Sequence, residues 1–103
     1  MDGLWAAIKR REGEAKATPV GRFLMKRGWT LEQTGGGCMA WAYVFGHAHS
    51  AWITCVDGGD VTHKLGEPVT LGFYEDEEDQ GTTKEYPNLK AALVAFEDYK
   101  RGL

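Results

Sequence analysis

The chain has 103 residues, 43% apolar and 26% charged, with four each of Trp, Tyr and Phe and a formal net charge of −3. That length suffices for one hydrophobic core and not for two domains, and the composition excludes a disordered chain. No apolar run approaches the roughly 20 residues that cross a bilayer, and the charges Lys9, Arg10 and Arg11 follow the first apolar residues, the reverse of a secretory signal, so a cytoplasmic protein without a membrane partner is expected.

The charge is unevenly spread. Residues 1–27 carry seven basic and three acidic side chains, for +4, and residues 28–103 carry five basic and twelve acidic, for −7. A basic arm is thus joined to an acidic body.

From Asp2 to about Glu12 a helix is expected, capped by Asp2, with Leu4, Trp5 and Ile8 on one face and Gly13 as its interruption. Thr18-Pro19 signals a second helix, because a capping hydroxyl precedes a proline at the first helical position. Val20, Phe23 and Leu24 form its apolar stripe, and Gly28 suits a left-handed stop. Trp29 to Thr34 reads as a first strand with Trp29 and Leu31 inward, followed by a break at Gly35-Gly36-Gly37. Met39–Phe45 and Ser50–Val56 read as strands joined by a turn at Gly46-His47-Ala48-His49. Asp57-Gly58-Gly59-Asp60 is a tight-turn signal, Val61 to Leu65 a weak extension, and Val69 to Tyr74 the next strand. Five successive carboxylates, Glu75 to Asp79, form an exposed loop, since adjacent charges resist desolvation. A short return strand, Thr82 to Tyr86, precedes a helix over about Leu89–Lys100 with the stripe Leu89, Ala92, Leu93, Phe96 and Tyr99, ended by Gly102.

The expected fold class is α+β: an antiparallel meander of four to five strands, a C-terminal helix on one face, and helical segments at the N-terminus. Residues 1–103 make a single domain, divided into a helical basic part (1–28), the sheet (29–86) and the last helix (87–103). The strands lack the usual polar face. Along Met39–Phe45, one side carries Met39, Trp41, Tyr43 and Phe45, and the other the small residues Ala40, Ala42 and Val44. The last helix is expected on the small side, leaving the aromatic side to the N-terminal helices or to another molecule.

Chemistry-bearing residues form no catalytic constellation, so an enzyme is not expected. His47 and His49, two apart, with His63, Asp57 or Asp60 as a third group, have the residue types of a zinc site, yet they fall in turns and no HExxH or CxxC accompanies them. Neither metal nor cofactor is assigned. Cys38 and Cys55 read as reduced thiols, with a cross-strand disulfide depending on register; neither sits where its pKa would fall enough for nucleophilic work. The cations Lys9, Arg10, Arg11, Lys16, Arg22, Lys26 and Arg27, with Trp41, Tyr43 and Trp52, have the composition of a single-stranded nucleic-acid surface, a reading that the acidic body disfavours.

The run Arg27-Gly28-Trp29-Thr30-Leu31-Glu32-Gln33-Thr34-Gly35-Gly36-Gly37-Cys38-Met39-Ala40-Trp41, with Tyr86-Pro87-Asn88-Leu89-Lys90-Ala91-Ala92-Leu93, resembles small proteins encoded by bacteriophages and prophages, some of which inhibit host defences, anti-CRISPR proteins among them. The resemblance implies an inhibitor of a host protein complex and transfers no catalytic residue. The expected function is therefore non-enzymatic protein binding, with Trp41, Tyr43, Trp52 and the carboxylates Glu75, Asp76, Glu77, Glu78 and Asp79 as the contact surface. Steered electrostatic association and aromatic anchors would supply the affinity. A homodimer through the same surface is the other protein partner considered.

Overall fold

The computed structural model describes residues 2–35, 38–46, 48–56, 61, 64–76, 78–79 and 83–102, and the side chains of all of these except residues 2, 4, 5, 35 and 79. Along the described residues run α1 (Asp2–Ala17), α2 (Pro19–Lys26), β1 (Thr30–Gly35), β2 (Cys38–Phe45), β3 (His49–Cys55), β4 (Val69–Glu75), β5 (Glu78–Asp79), β6 (Lys84–Tyr86) and α3 (Leu89–Arg101). The expected breaks at Gly36-Gly37 and 57–60 fall outside the described residues, as do the side chains of Leu4 and Trp5.

The α1 helix passes through Gly13 and does not stop near Glu12. A helical glycine costs about 1 kcal/mol, too little to end a segment flanked by Arg, Glu, Ala and Lys. The break comes instead at Thr18. Its hydroxyl donates to the Ala15 carbonyl at 2.7 Å and accepts from the Gly21 amide at 3.0 Å, closing α1 and capping α2 with one side chain. Pro19 follows at the first helical position, and Gly28 takes the left-handed conformation, φ +92°.

The strands pair antiparallel in the order β1-β2-β3-β4, and both β5 and β6 pair with β4, on different stretches of it. The α+β architecture, with its C-terminal helix on the sheet, is as the sequence indicates. Between β3 and β4, Val61 is buried without joining a strand, and Lys64 and Leu65 lie in a turn, so the expected weak extension there does not form among the described residues.

Register decides which side chains share a face, because successive residues alternate. Trp41, Tyr43 and Phe45 of β2 align with Ile53, Ala51 and His49 of β3, and these with Leu71, Phe73 and Glu75 of β4. The last helix covers this aromatic face, which corrects the expectation that it would cover the small one. Phe96 lies 5.0 Å from Trp29, 5.4 Å from Tyr43 and 5.5 Å from Phe45, and Tyr99 stacks on Phe73 at 3.8 Å. Val20 and Leu24 of α2 join the same core. The reason is area: rings facing rings remove far more apolar surface from water than rings facing alanines, and full burial of one large side chain is worth roughly 1.5–3 kcal/mol. Trp41, Leu24, Ile53, Leu71 and Leu89 are all fully buried in this layer.

Candidate functional site

With the helices on one side, the other side of the sheet is left uncovered among the described residues. Its centre is Trp52, flanked directly across the two neighbouring strands by Ala42 and Gly72. The indole Nε1 donates to Ser50 Oγ at 3.0 Å, which fixes the ring along its own strand. A Cβ at Gly72 would stand 2.7 Å from Thr83 Oγ1, so any larger residue there would have to displace the Thr83 side chain. A shallow concavity of 590 Å³ lies over Ala40, Trp52, Thr54, Gly72, Tyr74 and Thr83. Beside it Val44 is 75% exposed, the most exposed large apolar side chain among the described residues.

The rim of this face is acidic. Register puts Glu32 opposite Ala40 and Glu85 opposite Thr70, both on the open side. Past Tyr74 the chain reverses through Asp76, φ +51°, with Glu75 paired to Glu78; Glu75 aligns with His49 and Phe45, so by register these two carboxylates stand at the end of the sheet on the helix-covered side. The Asp76 amide donates to the Ala48 carbonyl at 2.9 Å, tying this acidic hairpin to the β2–β3 turn. The only strand lysine among the described residues, Lys84, pairs with Leu71 and so belongs to the helix-covered side. The open face therefore has an apolar centre, a ring of hydroxyls from Ser50, Thr54 and Thr70, and carboxylates outside that ring.

The contact set expected from sequence is split by the sheet. Trp41 is fully buried in the core and cannot touch a partner in this fold; its Nε1 is buried without a hydrogen-bond acceptor. Tyr43 is half-buried beneath α3 on the helical side, and Trp52 alone of the three rings lies on the open face. Glu75, Asp76 and Glu78 are exposed on the hairpin, while Glu77 and the side chain of Asp79 lie outside the described residues. Tyr74, Val44 and the hydroxyls were missed, because only the pairing of β4 with β3 brings Tyr74 to the side of Trp52.

The other candidates resolve as follows. Cys38 lies in line with Ala40 on the open side, and Cys55 lies in line with Ile53 on the covered side; both are free thiols, so no bridge joins them. His49 stacks on Phe45 at 5.7 Å, whereas His47, His63, Asp57 and Asp60 fall outside the described residues. Among the described residues no three His, Cys, Asp or Glu side chains come together to hold a metal ion, and no helix is long and apolar enough to cross a membrane.

These features define a small α+β protein whose antiparallel sheet is packed with helices on one face and, among the described residues, is uncovered on the other. Comparison with known proteins gives no matching family model, no matching curated protein and no matching solved structure.

Proposed function

We propose that the protein is a non-enzymatic binding module acting in the cytoplasm, and that the open sheet face docks a basic surface of a partner protein. The observation that carries this reading is the apolar centre made by half-buried Trp52 and Tyr74 and exposed Val44, bounded by hydroxyls and then by Glu32 and Glu85, with the exposed hairpin carboxylates Glu75, Asp76 and Glu78 at the end of the sheet beyond Tyr74. Aromatic anchors within a polar rim are the anatomy of a binding hot spot, and a one-signed rim speeds encounter with an oppositely charged partner. The resemblance of residues 27–41 to phage-encoded proteins supports an inhibitor or modulator of a host protein complex as the biological setting.

The test compares three forms of the chain as bait in a bacterial lysate: native, Trp52→Ser, and Glu75→Lys/Asp76→Lys/Glu78→Lys. All these positions lie outside the fully buried core, so each variant is expected to fold. A specific partner should be retained by the native chain and lost by both variants, with the triple variant losing it mainly through a slower on-rate. Retention of every partner by both variants rejects the reading. Light scattering adds a second arm: a native dimer that W52S dissolves would make the occupant a second copy of the chain and reject a basic partner.

A further inference from the structure

On the helical side, a groove of 570 Å³ separates the end of α2 from α3. Phe23, Trp29 and Tyr43 form its floor and one wall, and Lys90, Leu93 and Lys100 belong to the other. The α3 helix has two stripes: Leu89, Ala92 and Phe96 are buried in the core, while Lys90, Val94, Glu97 and Arg101 line the groove.

The charge of this groove opposes that of the molecule. Four cations, Arg27, Lys90, Lys100 and Arg101, line it with one carboxylate, Glu97, a balance of +3 in a chain whose formal total is −3. Internal compensation is slight. Lys100 Nζ lies 3.5 Å from Glu97, and Arg101 pairs with Asp98; both are solvent-facing i,i+3 pairs of the weak kind. Two of the cations stand on rings. The Arg27 guanidinium lies 3.5 Å from the centroid of Phe23, and Lys100 Nζ lies 4.8 Å from Phe96 and 5.5 Å from Tyr43. A neighbouring depression lined by Arg22, Lys26 and Arg27 shares Phe23 and Arg27 with the groove, so the cationic surface continues along α2.

Cations interleaved with rings match a ligand that alternates negative charge with flat apolar groups. Phosphates satisfy the first requirement and unstacked bases the second. An acidic peptide would use the cations and leave the rings idle, and a duplex keeps its bases stacked inside. We propose that the α2–α3 groove binds single-stranded nucleic acid, with Arg27, Lys90, Lys100 and Arg101 on phosphates and bases against the parts of the half-buried Phe23 and Tyr43 rings that Arg27 and Lys100 do not cover. The open sheet face shares no residue with this groove, so the two surfaces are tested by separate variants.

The probe is a fluorescently labelled oligothymidine of about 12 nucleotides, within the usual site sizes, titrated with the full chain and followed by anisotropy. Four phosphate contacts give a log–log salt slope of about −3, so affinity should fall about 50-fold between roughly 50 and 200 mM salt. Lys90→Glu/Arg101→Glu, both at exposed positions, should weaken binding at least about tenfold and flatten the slope while leaving the melting temperature unchanged. Phe23→Leu, which keeps apolar volume, should cost about fivefold or more, the lower end of a base–ring stack. No binding at the lowest salt overturns the proposal, as does undiminished binding by K90E/R101E. Equal binding of polyglutamate or of a duplex of the same length overturns it as well, in favour of an acidic protein or double-stranded ligand.

Discussion

Three small residues at the α1–α2 junction show how local chemistry fixes geometry. At Gly21 a Cβ would come 2.2 Å from the Ala15 carbonyl oxygen and 2.9 Å from Lys16 Cα, both backbone atoms that cannot swing aside. Gly21→Ala is expected to cost about 1–3 kcal/mol through overpacking. Gly13 is the opposite case, with nothing within 4 Å of its notional Cβ; Gly13→Ala should stabilise by about 0.5–1 kcal/mol through the lost entropy of the unfolded chain. Thr18→Ala removes the hydroxyl shared by the two helices and should cost about 1 kcal/mol. Urea denaturation checks all three, as shifts in midpoint with an unchanged slope. A stable G21A or a weakened G13A would contradict the junction as described.

At the scale of elements, α3 is held by its rings. Phe96 contacts Trp29, Tyr43 and Phe45, and Tyr99 bridges Phe45 and Phe73. Phe96→Ala is expected to cost about 3–5 kcal/mol, a large share of the roughly 5–15 kcal/mol typical of a domain. Val94, two residues earlier on the opposite side of the same helix and 57% exposed, should tolerate Ala within about 0.5 kcal/mol. Thermal melts of the two variants separate a helix packed through its aromatic stripe from one packed through any other face. At the start of α3, Asn88 accepts from the Ala91 amide at 2.9 Å, so the helix begins where its cap stands.

For the whole molecule, two surfaces of different chemistry lie on opposite sides of the sheet. Glu32 and Glu85 flank the open face, and Arg22, Lys26, Arg27, Lys90, Lys100 and Arg101 gather beside α2 and α3 on the helical side, although the formal total is −3. If the two surfaces are independent, W52S should leave oligonucleotide affinity unchanged, K90E/R101E should leave protein capture unchanged, and the combined variant should show the sum of the two losses. A combined loss that departs from additivity by more than about 0.5 kcal/mol would mean that one ligand reaches both faces.

Much of the fold was legible in the sequence because its signals are local. Thr18-Pro19, Gly28 and the stripe Leu89, Ala92, Phe96 each announce an element within one or two turns of chain. The end of α1 was misread because a lone glycine is a weaker stop than a capping hydroxyl. The site was harder to read. Trp41 and Tyr43 have the same residue character as Trp52, and nothing within a strand says which parity a helix will cover.

The amino-acid order by itself determined the helices, the strands and the alternation of rings with small residues in β2, since each depends on neighbours a few positions apart. Tertiary structure alone decided that Trp41 is core while Trp52 and Tyr74 share an open face, and that Lys90, Lys100 and Arg101 meet Arg27 across a groove. Those outcomes depend on strand register and on which face offers the last helix more apolar area, and both are set by contacts between segments far apart in the chain.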